Sequence, residues 1–306
     1  MRVVYSLEDA QLTEDSVVTI GAFDGIHRGH QAIVESVRRA ALDQGRASVV
    51  VTFFPHPSVV LGRNEPFYLT SPEEKIALLN ASGIDLLVIM PFTLETAQIR
   101  AADFVSMLID DVRMRELHVG YDFAFGYKRE GTVEFLKRIS AERGFSLRQI
   151  APLTNGAETV GSTGIRQALR EGNVERAAAW LGRPFRLSGV VVKGDGRGRK
   201  IGVPTANLDV WREHAVPANG VYASWAWVGN LRFKGAVNVG VRPTVTDQSI
   251  RTVEAHILDF DRDIYGMNVA LDFVARLRGE QKFPSLDALV AQIRSDVEET
   301  RRRLVE

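Results

Sequence analysis

The sequence predicts an α/β domain on a doubly wound parallel sheet, followed by a small all-β domain, an antiparallel barrel with a C-terminal helix. Three observations predict it. Strand-like apolar runs alternate with helical periods through roughly the first 150 residues, the mark of βαβ units. From Leu187 the helical period vanishes and apolar residues alternate with polar ones, with Gly, Pro and Asn turns between the runs. A chain of 306 residues also has room for two domains of the usual size, roughly 150 residues each. The expected division is 1–184 and 185–306.

The elements follow in order. Ser16–Ile20 is β-branched and apolar and reads as a buried strand. From His30 to about Gln44, Ile33, Val34, Val37, Ala40 and Ala41 recur at helical spacing. Ser48–Phe53 is a second strand, running into the stiff turn Phe54-Pro55-His56-Pro57. Ser71, Pro72, Glu73 and Glu74 supply an N-cap, a first-position proline and first-turn acids for a helix that Gly83 ends. Ile84–Met90, Leu117–Gly120 and Phe145–Ile150 read as strands, and Ala101–Ile109 and Gly131–Arg143 as helices between them. Helical runs Arg166–Glu171 and Val174–Leu181 follow, and Gly182-Arg183-Pro184 closes the domain. In the second domain Val221, Ala223, Trp225 and Trp227 share one face of a strand. Val253, Ala255 and Ile257 share a face of another, and Val269, Leu271, Phe273, Ala275 and Leu277 of a third. The last helix starts at Pro284 or Ser285 and runs to about Arg303.

Composition excludes several function classes. Hydrophobic residues are 45% and charged residues 25%, ordinary for a globular protein. The 38 basic and 38 acidic residues cancel, which argues against a general nucleic-acid binder or a polybasic membrane binder. The chain has no cysteine, which rules out disulfides, thiol chemistry and cysteine-ligated metals. Met1–Asp9 lacks the apolar core of a signal peptide, and no run approaches the ~18 apolar residues of a membrane span. A cytoplasmic location is expected.

Two stretches carry candidate chemistry. In GAFDGIHRGHQ (21–31) a glycine-rich turn joins a strand to a helix. The helix N-terminus is an anion site, and His27 and His30 stand where both imidazoles can reach one phosphate. The turn is neither a Walker loop nor a GxGxxG turn. Near it in the reading stand His56 at a strand's carboxyl end, Asp122 and Phe125 at another, and a helix start with Ser162, Thr163 and Arg166. His56 also reads as a packed loop residue, and the last three as a plain N-cap with a surface arginine. In KGDGRGRKIG (193–202), Gly194, Gly196, Gly198, Gly202 and the cations around Lys200 suit an anion. Thr205 and Asn207 follow as hard oxygen donors on one side of an extended chain, suited to Mg²⁺ on a phosphate. Glu254 alternates with core residues of its strand, as a surface acid or as a base lining the barrel's mouth.

Nine short motifs then make a resemblance. GAFDGIHRGH, TFFPHP, GYDFAFG and STGIR resemble the FMN adenylyltransferase module, whose HxGH signature marks the nucleotidyltransferase superfamily. KGDGRGRKIGVPTANL, PANGVY, NVGVRPT, VEAHILDF and DIYG resemble the riboflavin kinase module. In this order they are similar to the bacterial bifunctional riboflavin kinase/FMN adenylyltransferase family, the prokaryotic FAD synthetases. The resemblance implies a Rossmann-like nucleotidyltransferase domain and a riboflavin kinase-like barrel. It implies ATP as co-substrate, Mg²⁺, and riboflavin, FMN and FAD as substrates and products.

The resemblance also implies roles. Glu254 matches the general base for the ribityl hydroxyl, and Thr205 and Asn207 the residues that hold Mg²⁺ and the phosphates. Gly194, Gly196, Gly198, Lys200 and Gly202 match the loop over those phosphates. His27 and His30 match the histidines that stabilise charge on the second reaction's phosphates, within the nucleotide turn Gly21, Phe23, Asp24 and Gly29. Ser162, Thr163 and Arg166 match its second phosphate grip. His56, Pro57, Asp122 and Phe125 match positions around the flavin. Four departures stand out: Gly161 for a serine, Gly164 for a larger residue, Phe54 for a polar one, and Asp122 where relatives carry asparagine.

Overall fold

The computed structural model describes residues 1–62, 68–156, 158–194, 198, 202–242 and 250–305. It divides into two compact units, Met1–Gly161 and Ser162–Glu306. Among the described residues no helix is long and apolar enough to cross a membrane.

The first unit is built on a six-stranded parallel sheet. Its strands are β1 (Arg2–Val4), β2 (Ser16–Ile20), β3 (Ala47–Phe54), β4 (Leu86–Pro91), β5 (Met114–Gly120) and β8 (Ser146–Ile150), in the order β1-β4-β3-β2-β5-β8. Two small hairpins add β6 (Ala124–Phe125) with β7 (Gly131–Thr132), and β9 (Thr154–Asn155) with β10 (Glu158–Thr159). The central strands are covered on both sides, which is why they read as continuous apolar runs. Alternate residues serve opposite cores. Val49, Val51, Leu86 and Val88 join Phe104 and Leu108 of α4 (Ala101–Asp111) and Leu136 of α5 (Val133–Arg143). Val50, Leu87 and Ile89 join Val34 of α1 (Arg28–Gln44) and Leu79 of α3 (Pro72–Ala81). A single turn, α2 (Pro57–Val60), follows β3.

Several elements differ from the sequence reading, three of them around the candidate site and the sheet edge. β1, three residues long, is too short to show a period, and it pairs with β4 at the sheet's edge. α1 begins at Arg28 rather than His30, because His27 is itself the N-cap. α5 begins at Val133 rather than Gly131, because Gly131 and Thr132 pair with Phe125 and Ala124. The chain leaves β2 outward to β3 and β4, then returns to β5 on β2's other side. Ligands of open α/β sheets bind outside the strand ends at such a reversal. The turns after β2 and β5 are the two that meet there.

The second unit opens with α6 (Ser162–Arg170) and α7 (Val174–Leu181). A closed antiparallel barrel follows: β11 (Phe185–Val192), β12 (Ala206–Val210), β13 (Gly220–Val228), β14 (Leu231–Arg242), β15 (Ile250–Ile257) and β16 (Asn268–Arg278), in the order β11-β12-β15-β14-β13-β16. The last helix is α8 (Leu286–Arg303), capped by Ser285 as expected. α6 and α7, on the first-domain side of the division expected from the sequence, are tied to the barrel unit. The Ala218 N–H donates to the Leu169 carbonyl at 2.8 Å, and Arg276 of β16 to the Glu171 carbonyl at 3.1 Å. The barrel interior is filled by Leu187, Val237, Val239, Ala255, Leu271 and Phe273.

One strand departs from its pattern. On β13 the buried residues near the end are Ala226 and Val228, while Trp225 and Trp227 are only half-buried. Register shifts at Val221/Tyr222 and Ala223/Ser224 break the simple alternation. The Arg232 guanidinium stacks on Trp225 at 4.1 Å, and Trp227 Nε1 donates to Asp272 at 2.7 Å.

Candidate functional sites

The first site is the turn from β2 into α1. Phe23 and Ile26 hold left-handed backbone, at φ 46° and 39°, as does Gly25 at 81°. For non-glycine residues this costs on the order of 1–3 kcal/mol each and persists only where the surroundings impose it. They do so here. Phe23 is 1% exposed, with its ring 5.0 Å from that of His30. Asp24 is 2% exposed, and its Oδ1 accepts the Leu69 N–H at 2.8 Å, so its carboxylate braces the turn. The Gly25 N–H reaches Thr70 Oγ1 at 3.3 Å, and Gln31 Nε2 donates to the Ile26 carbonyl at 2.8 Å. A Cβ on Gly21 would sit 3.1 Å from the Phe23 ring, and one on Gly29 3.2 Å from the His27 ring. The two glycines thus let these rings lie close against the backbone.

His27 and His30 are stacked, with ring centroids 3.6 Å apart. His27 Nδ1 accepts the His30 backbone N–H at 3.3 Å, which fixes its neutral tautomer with the proton on Nε2. His30 Nδ1 is buried without a hydrogen-bond partner, so its proton also belongs on Nε2. Burial holds the His30 pKa well below the usual histidine range, with smaller contributions from His27 and Lys75. His30 is therefore neutral at pH 7. The two rings lie face to face at the positive end of a helix of 17 residues. That is an arrangement for phosphate oxygens.

The other predicted residues of this unit sit on neighbouring strand ends. His56 caps α2: its Nδ1 accepts the Ser58 N–H at 3.1 Å, and its own N–H donates to the Tyr68 hydroxyl at 2.8 Å. Pro57 is the first residue of that turn. Phe54 packs its ring 5.9 Å from Tyr68, which gives the departure there an apolar partner. Asp122 is exposed in the turn after β5. Phe125 stacks on Phe123 at 5.3 Å and packs against Phe104, half in the core.

Ser162, Thr163 and Arg166 lie in the first turn and a half of α6, in the second unit. The Gly164 departure has a packing reason: a Cβ there would overlap the Trp180 ring of α7. A Cβ on Gly161 meets nothing within 4 Å.

The second site lies on the outside of the barrel. Val253 and Ala255 point inward, so Glu254 points out. Across the sheet Glu254 stands in register with Asn207 of β12 and Asn238 of β14. It lines a cavity of about 360 Å³ with Thr205, Asn238, Phe283, and Leu289 and Ile293 of α8. The site is therefore a groove under the C-terminal helix rather than the barrel's mouth. Arg278 and Asp296 join at 2.8 Å in the wall of this groove, and Gln292 donates to the same carboxylate. A second cavity of about 400 Å³ is lined by Pro204, Phe260, Asp261, Arg262 and Tyr265. Thr205 stands in the walls of both.

Two glycines of the 193–202 stretch show why they are glycines. A Cβ on Gly194 would overlap the Asn207 side chain, and one on Gly198 the Val203 carbonyl oxygen, with Thr205 Oγ1 at 3.4 Å. Gly194 and Gly198 thus lie against Asn207 and Thr205. Gly202 has φ 75°. Gly196 and Lys200 lie outside the described residues. Thr205 stands immediately before β12, and Asn207 is the second residue of that strand. The sequence reading overlooks Lys75, Thr52 and the Arg278–Asp296 pair. Nothing in a helix-start phrase such as Ser-Pro-Glu-Glu-Lys signals that its lysine is buried.

Residues 9–164 match the family model for FAD synthetase, and residues 181–304 that for riboflavin kinase. The chain is 37% identical over 300 residues to a bifunctional riboflavin kinase/FMN adenylyltransferase of Escherichia coli (strain K12), covering 97% of this chain and 95% of that protein. It is 34% identical to one of Listeria monocytogenes, over 94% of this chain and 92% of the relative. A crystal structure described as a macrolide-efflux protein from Streptococcus pneumoniae matches with a TM-score of 0.90 and 33% identity over 98% of both chains.

Proposed function

The chain belongs to the bifunctional riboflavin kinase/FMN adenylyltransferase family, and we propose how its residues divide the two reactions. Residues 185–306 phosphorylate riboflavin and residues 1–184 adenylylate the FMN formed. In the first reaction the Glu254 carboxylate takes the proton of the ribityl 5′-hydroxyl. That oxygen bonds to the γ-phosphorus of ATP as the bond to ADP breaks. The flavin lies in the apolar groove under α8, which places its hydroxyl at Glu254. The nucleotide lies in the other cavity, so the γ-phosphoryl group meets its acceptor at Thr205, the wall the two cavities share.

Positioning and charge neutralisation dominate phosphoryl transfer. Thr205 Oγ1 and the Asn207 side-chain oxygen fit Mg²⁺, as hard donors close under the Gly194 and Gly198 backbone. When bound there, Mg²⁺ neutralises charge on the phosphates. Gly194, Gly198 and Gly202 offer backbone N–H groups to them, and Gly196 and Lys200 belong to the same phosphate-binding stretch.

In the second reaction an FMN phosphate oxygen attacks the α-phosphorus of a second ATP, and pyrophosphate leaves. The nucleophile is already anionic and needs no strong base. It needs donors where charge builds on the leaving phosphates. The two Nε2–H groups of His27 and His30 supply them as neutral donors, so neither needs to gain or lose a proton. Ser162, Thr163 and Arg166 form the second phosphate grip. His56, Pro57, Asp122 and Phe125 flank the flavin. ATP as the donor in both steps supports a cytoplasmic enzyme.

The observation that carries the reading is the pair of separate donor sets: stacked neutral histidines in one unit, and Glu254 between two asparagines in the other. The test is a product assay. Purified protein with riboflavin, ATP and Mg²⁺ should yield FMN and then FAD on chromatography. FMN alone would remove the adenylyltransferase assignment, and no conversion would remove both.

A further inference from the structure

Lys75 takes no part in that scheme, yet the fold goes to some length to bury it. It stands in the first turn of α3 and is 5% exposed. Burying an ammonium is costly unless it is matched by partners. Its Nζ donates to the Ala22 carbonyl at 2.8 Å and lies 3.5 Å from Thr52 Oγ1. Thr52 Oγ1 donates to the same carbonyl at 3.1 Å. Desolvation outweighs the attraction of Asp24 and pushes the Lys75 amine down to about 8. An apolar side chain would fill this place without that penalty.

The surroundings indicate what the charge is for. The stretch from Leu69 to Lys75 clasps the β2–α1 turn at three successive points: the Leu69 N–H on Asp24, Thr70 Oγ1 on the Gly25 N–H, and Lys75 on Ala22. The turn so held contains the left-handed Phe23 and ends at His27. The titratable groups that interact with Lys75 are Asp24 in the turn and His30 at the head of α1.

We propose that Lys75 is a positioning residue of the adenylyl-transfer site, pinning the Ala22 carbonyl so that the turn aims the Nε2–H donors of His27 and His30 at one phosphate. The inference rests on the assignment of those histidines to adenylyl transfer. Lys75 also contributes positive charge that favours the neutral form of His30, the form that donates without taking up a proton. Its own ammonium stays beneath the turn and does not touch substrate.

The test is Lys75→Met in the full chain, which keeps the length and apolar stem and removes the charge. Wild type and His27→Ala come first. FAD formation by wild type that His27→Ala does not reduce would overturn the histidine assignment, and the inference with it. In Lys75→Met the kcat for FMN-to-FAD conversion should fall roughly 10–100-fold, the scale of a misplaced catalytic group. Riboflavin phosphorylation should stay within about twofold, since that site lies in the other unit. The melting temperature should not fall, and the NMR titration midpoint of His30 should move up. Unchanged FAD formation, or loss of activity together with loss of folding, makes Lys75 a purely structural residue and overturns the proposal. Thr52→Val, which removes the other donor to Ala22, gives an independent check. A lowered kcat at unchanged stability supports the lock, and an unchanged kcat refutes it.

Discussion

The two candidate sites of this chain are built in opposite ways. The histidine turn is assembled from strained backbone held by hydrogen bonds from neighbouring segments. Ala22, Asp24, Gly25 and Ile26 are each bonded from a different direction. The Glu254 groove has regular strand backbone and gets its order from register. Asn207, Glu254 and Asn238 align because β12, β15 and β14 pair as they do. Gly194 and Gly198 serve close approach, lying on Asn207 and Thr205. The first site is organised by strain held in place, the second by the register of paired barrel strands. Substitutions should therefore act through geometry in the first and through chemistry or overlap in the second.

The largest contrast should come from Glu254→Gln. It keeps shape and removes the base, so FMN formation should drop by about 10²–10⁴-fold, the usual worth of general base catalysis. FMN-to-FAD conversion should be unchanged. Equal loss of both activities in a folded variant would dissolve the distinction between the sites. Gly198→Ala tests the overlap argument. The new Cβ would run into the Val203 carbonyl oxygen, and the loop must move off Thr205. The kinase rate should fall by about 10²-fold, as for a displacement near 1 Å, with adenylyl transfer intact. A kinase rate near wild type would mean the loop shifts without consequence.

Much of this was legible in the sequence. The β2 turn shows itself because a strand, three glycines and HxGH stand in order, and Glu254 because its neighbours Val253 and Ala255 mark the inward face. What was not legible depends on distance in space. Lys75 looks like any solvated cation in a first helical turn, and only the fold brings it under Ala22. Trp225 and Trp227 look like core, and the register shifts on β13 leave them half-buried. Arg278 and Asp296 lie on different elements, and no spacing connects them. Gly164 reads only as a small residue where the family has a larger one until Trp180 is seen against it.

Gly164→Ala sharpens that last point. Its Cβ would overlap the Trp180 ring, so the second unit should lose about 1–3 kcal/mol by overpacking, measured by urea unfolding. Stability at the wild-type level would mean that α6 and α7 slide apart freely. The smallest effect concerns pH. The folded-state pKa of His30 lies below its unfolded value near 6.5. Below about pH 6.5 the unfolded chain binds a proton that the folded state refuses. This contribution to stability is thus fully present above pH 6.5 and declines as pH falls. Melting temperatures from pH 8 to pH 5 should drop less steeply in His30→Asn than in wild type, and parallel curves would argue against a neutral, buried His30.

The most direct test of two independent sites is to mix the two inactive halves. Glu254→Gln and His27→Ala are each incubated with riboflavin, ATP and Mg²⁺, alone and together, and the flavins are separated. Glu254→Gln alone should leave riboflavin untouched, and His27→Ala alone should stop at FMN. The mixture should make FAD, each variant supplying the step the other lacks. A mixture that makes no FAD although both variants are folded would contradict the assignment of one reaction to His27 and the other to Glu254.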